Sequence, residues 1–350
     1  MMSEMKRKSS QRGFSLVELL VSVVIGLLLV VGVLQAFLSS KETYTMQSGL
    51  AKLQENGRFA MAFLTRDLRQ AGYSGCTSNT TFANTLRDAS GALPSYLDFD
   101  ATITGVDNLG AGVIYSTTSA AQGTDVVEVR FADNSNSCDV DFHNVNSANL
   151  HCTDTNPFNV GDLLVVTNCT HTALFQKTGP AANNQIIVHN TGNGVDIGNC
   201  TKGLGVPVEC TANGTGYQFS DGIVLQLNYY RYFIGINDHG EPSLFRESIQ
   251  NNAGVTGTRS SELVEGVEDM QVLYGEDTNS DGTADYYVPF DEVADDEDII
   301  SIRVSLLMRS SEDSIARDGQ SVLFNGATVP FNDGRLRKVF TTTIALRNRL

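Results

Sequence analysis

The sequence predicts an α+β protein in which one long N-terminal helix packs on an antiparallel β-sheet. Apolar residues dominate from Phe14 to Leu38 and then recur at helical spacing to about Ala71. Segments rich in β-branched residues, bounded by turn residues, follow this helix. Strands that come after one long helix are typical of an α+β unit. Six cysteines among many polar neutral residues predict a loop-rich β region that disulfides hold together.

The apolar segment 14–38 is long enough to cross a membrane. It contains one acid, Glu18, and no basic residue follows until Lys41. As a helix it would extend roughly 37 Å, against about 30 Å for the hydrocarbon core of a bilayer. A carboxylate near the start of a spanning helix is costly, so Glu18 is a candidate functional residue. The alternative is an ordinary signal anchor with Glu18 among the lipid headgroups.

The residues before this segment have the composition of a leader but not the order of an ordinary secretory signal. Residues 1–13 form a short polar leader, and its basic residues are Lys6, Arg7, Lys8 and Arg12. A secretory signal places its small-residue cleavage site after the apolar region. Here the small residue, Gly13, comes before it, so cleavage after Gly13 would keep the apolar helix in the mature chain. The positive leader predicts a cytoplasmic N-terminus with the bulk of the chain outside.

This arrangement closely resembles the class III signal of type IV prepilins. In that signal a basic leader ends in Gly, Phe follows, and Glu stands at the fifth mature position; Gly13, Phe14 and Glu18 match these places. The resemblance implies that a prepilin peptidase cuts after Gly13 and methylates the amine of Phe14. It also implies a single-pass anchor in the bacterial inner membrane that later packs in a filament core. There Glu18 would neutralise an N-terminal amine, because an ion pair is less costly in a dry bundle than either charge alone.

Helical spacing continues beyond the membrane segment. Apolar residues recur at steps of three and four over residues 40–73, which predicts an amphipathic continuation that lies against a sheet. Gly72 is the predicted end of the helix. Each glycine inside the helix is less favourable than alanine by about 1 kcal/mol. These weak points are Gly26, Gly32, Gly49 and Gly57.

Four further segments look like the PilW family of minor pilins. They are LQENGRFA (53–60), LTRDLRQAGY (64–73), SIRVSLL (301–307) and FTTTIALRN (340–348). The minor pseudopilin J of type II secretion shares part of this pattern. The resemblance implies a structural protein, not an enzyme, that primes type IV pilus assembly and sits at or near the pilus tip on the cell surface. Its implied partners are other minor pilins, the major pilin, a PilY-type tip adhesin and the prepilin peptidase.

Two other functions remain open at this point. One is a minor pseudopilin of a type II secretion system, and the other is a membrane-tethered, calcium-dependent binding module. Motifs for zinc proteases, nucleophile elbows and phosphate-binding loops are missing from the sequence. The formal charge of −16 argues against a nucleic-acid partner.

Residues 74–350 are predicted to form a β-rich globular domain in the periplasm or outside the cell. The gaps between strands in residues 74–222 are long, which predicts much loop there. Tyr229, Tyr230 and Tyr232 suggest strand packing more than a binding face. The predicted strands are 126–131, 163–167, 186–189, 223–234, 262–274, 299–308 and 339–346.

The cysteines and the C-terminal bases offer two more expectations. Six cysteines allow 15 pairings, but nearness along the chain favours Cys138 with Cys152 and Cys200 with Cys210, which leaves Cys76 with Cys169; the alternative is free buried thiols. Basic residues near the C-terminus form either a patch that docks on an acidic neighbour or a solvated chain end. They are Arg335, Arg337, Lys338, Arg347 and Arg349.

One stretch has the pattern of a metal site. DTNSDGTAD (277–285) matches the opening of a calcium loop, with Asp277, Asn279 and Asp281 at alternate positions, then Gly282. The Thr283 carbonyl and Asp285 would complete the oxygen ligands. The twelfth position is Val288 and not the bidentate Glu of an EF-hand. The sequence therefore predicts a weak calcium site or, as the alternative, an acidic turn.

Overall fold

The computed structural model describes residues 13–76, 81–191, 197–252, 255–313, 315–316 and 319–348. The basic leader residues and Arg349 lie outside these ranges. The chain divides into two compact units, Met1–Ala51 and Lys52–Leu350.

The long helix predicted from the sequence is present. Helix α1 runs over Leu16–Leu68, 53 residues, and ends three residues before Ala71. A tighter turn follows, in which the amide of Ala71 donates to the carbonyl of Leu68 at 3.1 Å. Gly72 then takes a φ of +74°, the left-handed conformation that commonly ends a helix. The Gly72 amide donates to the carbonyl of Arg130 at 3.0 Å, so the helix end is tied to a strand.

In the described residues, strands and three short 3-10 turns follow α1. The 3-10 turns are Ser95–Leu97, Phe290–Glu292 and Asp296–Asp298. The strands are β1 Thr81–Asn84, β2 Leu86–Asp88, β3 Ile103–Val106, β4 Ile114–Tyr115, β5 Thr118–Ser119, β6 Val126–Asn144, β7 Asn149–Asn156, β8 Leu163–Thr167, β9 His171–Gln176, β10 Asn184–Val188, β11 Ile197–Asn199, β12 Ile223–Ile236, β13 Pro242–Asn252, β14 Val255–Glu265, β15 Val267–Glu276, β16 Tyr286–Val288, β17 Ile299–Arg309, β18 Gln320–Phe324, β19 Ala327–Phe331 and β20 Arg337–Ala345.

Two large sheets are built from these strands. The first has the central order β1-β9-β8-β12-β6-β7-β10, with β13 and β14 continuing from β12, and β3 paired with β6. The second has the order β16-β15-β17-β20. All the pairings are antiparallel except that of β1 with β9, which is parallel. The described strands also form three two-stranded ribbons: β2 with β11, β18 with β19, and β4 with β5.

The predicted strands are present, but the bounds of most of them differ from the prediction. Strand β8 has the predicted bounds, and β17 buries Ile302, Val304 and Leu306 as its alternation predicts. The single strand predicted over 262–274 is two strands, because Gly266 turns the chain with a φ of +83°. The polar segment 149–156 lies where loop is predicted, but it forms β7 by pairing with β6 and β10 on its two sides. The middle of the chain therefore contains more strand than its composition predicts.

The second part of the helix is held in a hydrophobic core. Leu53, Ala60, Leu64 and Leu68 are buried there among apolar side chains from both large sheets. These include Val127 and Val129 of β6, Met270 and Val272 of β15, and Ile302, Val304 and Leu306 of β17. The amphipathic continuation thus packs against sheet, as predicted.

Gly57 has a packing role that offsets its low helix propensity. A Cβ atom built at Gly57 would collide with the aromatic ring of Phe340 in β20. The helix and this strand therefore approach closely enough that a side chain at position 57 does not fit. Gly57 is a close-approach residue and not only a weak point of the helix.

Three disulfides hold the β-rich middle together. The pairs are Cys76–Cys169, Cys138–Cys152 and Cys200–Cys210, the same pairs that nearness along the chain favours. The Cys76–Cys169 bond joins the segment just after the helix to the turn between β8 and β9. Closing a loop of this length restricts the unfolded chain by an amount worth about 2–5 kcal/mol.

Candidate assembly and cation-binding sites

Gly13, Phe14 and Glu18 lie together at the start of α1. Gly13 and Phe14 precede the helix, and Glu18 is in its first turn. There its negative charge is favourable, because the free amides of a helix N-terminus carry partial positive charge. The Phe14 side chain is 80% exposed, and no atom of the described residues lies within 4 Å of where a Cβ of Gly13 would be. Within residues 13–76, nothing covers the segment that a peptidase would have to reach.

The helix that follows exposes apolar surface on all sides. Every Val, Leu, Ile and Phe side chain between Leu16 and Leu38 exposes half of its surface or more. By length and composition, α1 is one helix among the described residues that could cross a membrane. An apolar surface all round is expected of a helix covered by lipid or by other helices.

The acidic loop between β15 and β16 is closed by its own side chains. The Asp277 carboxylate accepts hydrogen bonds from the amides of Asp281 at 3.1 Å and Gly282 at 2.7 Å. Asp285 accepts from the amide of Thr278 at 3.0 Å and from the Asn279 side-chain nitrogen at 3.0 Å. Gly282 has a φ of +82°, so the sharp turn that the motif requires is present.

Asp281 is bound within the same loop and points outward. It accepts from the amide of Thr283 at 2.9 Å and from the Thr283 hydroxyl. The hydroxyl bond is the main reason that the pKa of Asp281 lies below its usual value. Asp277 is buried, whereas Asp281 is exposed. In the described ranges, no group of three or more His, Cys, Asp or Glu side chains is placed to hold a metal.

The tyrosines of β12 are packing residues. Tyr229 and Tyr232 are fully buried, and the Tyr232 hydroxyl donates to the carboxylate of Asp67 on the helix. Burial first, and then the Asp67 charge, raise the pKa of Tyr232 well above its usual value. Tyr232 therefore joins the sheet to the helix, and the burial of both side chains leaves little surface for a ligand.

Asp67 is a buried, paired acid that no sequence pattern marked as structurally important. It is 1% exposed on the buried side of α1, and its carboxylate pairs with Arg66 at 2.7 Å and Arg246 at 3.1 Å. It lies within the segment LTRDLRQAGY, whose family resemblance was the available signal. Its role is to fix the helix on β12 and β13.

The C-terminal basic residues do not form an open patch at Arg335 and Arg337. Arg337 is buried and pairs with Glu268 at 2.6 Å and Asp333 at 2.7 Å. Arg335 pairs with Glu241 at 3.1 Å. The expectation of a solvated or docking patch is wrong for these two, because nearby acids neutralise them within the domain.

Two histidines that are distant in the sequence lie in contact in the β-rich middle of the chain. The Nε2 atoms of His143 and His189 lie 3.0 Å apart, and the amide of Phe219 donates to Nδ1 of His143 at 3.2 Å. Burial lowers the pKa of His143 to about 4 and that of His189 to about 3, so both rings are neutral at pH 7. Since the unfolded chain would take up these protons first, we expect the pair to reduce stability as the pH falls below about 6.5.

Two family models match the chain, one near each end. The model for Type IV Pilus-assembly protein W matches residues 231–348, from the middle of β12 to just beyond β20. The model for the Prokaryotic N-terminal methylation motif matches residues 8–34, which include Gly13, Phe14 and Glu18. No curated protein and no solved structure matches the chain. The two matches support a prepilin-like minor pilin of the PilW type.

Proposed function

We propose that this chain, a PilW-type minor pilin of the type IV pilus, helps to prime pilus assembly and lies at or near the pilus tip. The observation that carries the proposal is the N-terminal geometry. Gly13 and Phe14 are accessible just before α1, Glu18 stands in the first turn, and the apolar surface that follows has no cover within residues 13–38. The matched methylation motif coincides with these residues.

The proposed sequence of events begins in the inner membrane. The basic leader stays in the cytoplasm, α1 spans the bilayer, and residues 74–350 enter the periplasm. A prepilin peptidase removes residues 1–13 and methylates the amine of Phe14. The first part of α1 then leaves the lipid and packs among the helices of the filament core.

In the filament core, Glu18 has a defined chemical task. An amine or a carboxylate without a partner is expensive in a dry helical bundle, and an ion pair costs less. The Glu18 carboxylate would therefore pair with the methylated amine of a neighbouring subunit. That neighbour is another minor pilin or the major pilin, and a PilY-type adhesin would sit beyond the complex.

The test is replacement of Glu18 in cells that make pili. We expect Glu18→Ala to insert in the membrane normally, because the span becomes more apolar, but to be depleted from sheared pili by tenfold or more. Ser22→Ala, one turn later on the same helix, is the matched control and should be incorporated normally. Normal recovery of Glu18→Ala in sheared pili would contradict the assigned role.

For the acidic loop, we propose weak calcium binding by Asp277, Asn279, Asp281, Asp285 and the Thr283 carbonyl. The support is the ligand spacing and the turn at Gly282. Asp281 and Asp285 would exchange their hydrogen bonds to Thr283, Thr278 and Asn279 for the cation. Because a bidentate Glu is lacking at position twelve, the expected affinity is micromolar to millimolar.

Thermal unfolding of the full chain in detergent, with calcium or with chelator, tests this loop. Calcium at about a hundredfold excess over Kd should stabilise the wild type by about 2.7 kcal/mol. The variant Asp281→Ala should lose this gain. If calcium changes neither protein, or both equally, the loop is only an acidic turn.

A further inference from the structure

Strand β20 is an edge strand with one paired side. In its sheet it pairs with β17 and with no other strand of the described chain. The residue after it, Leu346, donates its amide to the carbonyl of Ile300 at 2.8 Å. Because hydrogen-bonded positions alternate in an antiparallel pair, the even-numbered residues of β20 bond to β17. The backbone groups of the odd-numbered residues face away from the sheet.

The backbone hydrogen bonds of Arg337 confirm that the odd-numbered residues of β20 face away from β17. The Arg337 amide donates to the Gln320 side-chain oxygen at 2.6 Å, and its carbonyl accepts from the Gln320 nitrogen at 2.7 Å. A side chain thus occupies the hydrogen-bonding place of a missing strand at that position. Farther along, Thr341 and Thr343 are exposed, and no hydrogen bond within the described residues satisfies their outward backbone groups.

The edge of β20 lies beside a groove on the helix. The groove has a volume of about 670 Å³, and Phe340 of β20 forms one wall. The strand and the helix run alongside each other: Phe340 reaches Gly57, and the Asn348 side chain donates to the carbonyl of Ala71 at 3.2 Å. The opposite wall is a stripe at helical spacing on α1 and on the turn that follows it: Arg58, Met61, Ala62, Thr65, Arg66, Arg69 and Gln70.

The charge of the groove is opposite to that of the protein. Arg58, Arg66 and Arg69 line it, and no acidic residue does, in a chain whose formal charge is −16. Arg66 is held by Asp67, yet its side chain is still 59% exposed. Arg58 and Arg69 are exposed, and their guanidinium groups make no hydrogen bond or ion pair with the described residues. Such a cluster attracts a carboxylate partner.

We infer that the edge of β20 and the arginine groove together bind an extended acidic segment of another protein by β-strand addition. The added strand would take its main-chain hydrogen bonds from the outward groups of Thr341 and Thr343. Alternate side chains of a strand point to one face, so every second residue of the partner would face the helix. Arg58 and Arg66 are separated by eight residues, roughly 12 Å along the helix.

The distance between Arg58 and Arg66 sets the spacing of the acidic residues expected in the partner. Four strand residues extend about 13 Å, so carboxylates at positions i and i+4 of the partner would both reach the arginines. The partner is therefore an extended segment with β-branched residues and acids four residues apart. Phe14 and Glu18 are not among the residues of this surface, so peptide binding here does not require that the chain is incorporated into a pilus.

The probe is a labelled synthetic peptide, Thr-Glu-Val-Thr-Val-Glu-Thr, with binding to the full chain in detergent measured by fluorescence polarisation. Three further peptides separate the contributions: Gln for both Glu, Lys for both Glu, and the acidic peptide with alternate backbone amides N-methylated. We expect the acidic peptide to bind at least tenfold more tightly than each of the other three. Loss on N-methylation reports the strand pairing, and loss with Gln or Lys reports the charge.

Three protein variants complete the test. The double variant Arg58→Glu/Arg69→Glu leaves the Arg66–Asp67 pair intact. Because it reverses two of the three charges of the groove, it should weaken binding of the acidic peptide tenfold or more and improve binding of the Lys peptide. Arg259→Glu, which changes an exposed arginine on β14, is the matched control and should bind as the wild type does. Thr343→Pro removes an outward amide without removing a bond to β17, and it should also weaken binding while thermal unfolding shows that the fold is kept.

Several results would overturn the inference. They are no binding of the acidic peptide, equal binding of the N-methylated or Lys peptide, or an equal loss with Arg259→Glu. A dimer of the peptide-free chain that Thr343→Pro dissociates would assign the edge to a second copy of this chain instead.

Discussion

Residues 16–51 and 52–68 belong to one helix but differ in what covers them. In the first stretch, the large apolar side chains up to Leu38 expose half of their surface or more. In the second, Leu53, Ala60, Leu64 and Leu68 are fully or almost fully buried. The same secondary structure thus serves two purposes. The second stretch packs in the core of its own domain, and the first exposes apolar surface of the kind expected where lipid or other helices cover a helix.

The acids of the two stretches show the same difference. Glu18 is exposed at the start of α1, and it has no charged partner in the described structure. Asp67, near the other end, is buried and accepts from Tyr232, Arg66 and Arg246. A buried acid with partners holds a fold together. An acid in an apolar stretch without partners is expected to find one in another molecule.

Matched leucine substitutions should separate the two stretches most strongly. Leu64→Ala removes a fully buried side chain and should lower the free energy of unfolding by roughly 2–5 kcal/mol. Leu29 is 66% exposed, so Leu29→Ala should change it by less than about 0.5 kcal/mol. Chemical unfolding of the full chain in detergent measures both. Equal losses would mean that the first stretch also stabilises the domain.

Matched changes of the acids test the same division by charge. Asp67→Asn removes the charge that Arg246 faces and puts donors opposite the Tyr232 hydroxyl, which should cost about 2–3 kcal/mol of unfolding free energy. Glu18→Gln makes the same chemical change where no intrachain partner exists, and it should leave this free energy unchanged. A stability loss with Glu18→Gln would show that Glu18 has a partner within its own chain.

Alanine substitutions at Gly57 and Gly26 should change stability in opposite directions. Gly57→Ala places a methyl group against Phe340 and should destabilise by about 1–3 kcal/mol. Gly26 has open space around it, so Gly26→Ala should raise helix stability by up to about 1 kcal/mol. Circular dichroism during unfolding in detergent reports both changes. Stabilisation by Gly57→Ala would contradict the close approach of α1 to β20.

The helix and its buried stripe were predictable because they depend on local pattern. Apolar spacing marked the buried stripe, and the basic leader with Gly13, Phe14 and Glu18 predicts a processing site. Arg58, Arg66 and Arg69 belong to no sequence motif for a binding site. Their position beside β20, which lies more than 260 residues away in the chain, follows only from the fold.

Other parts depend on contacts that no local pattern contains. Segment 149–156 is polar, yet it forms β7 because two neighbouring strands satisfy its backbone. Arg337 looked like a free base, but Glu268 and Asp333 neutralise it. In each case, the pairing partner decides the outcome.

The central claim is that cleavage after Gly13 leaves a mature chain that begins with the first stretch of α1. Intact mass spectrometry of the protein purified from membranes measures this. The result we predict is a mature chain that begins at Phe14 and carries one N-terminal methyl group, with Gly13→Val giving the uncleaved chain. A wild-type protein that keeps Met1, or one cut beyond Leu38 so that the apolar stretch is lost, would contradict it.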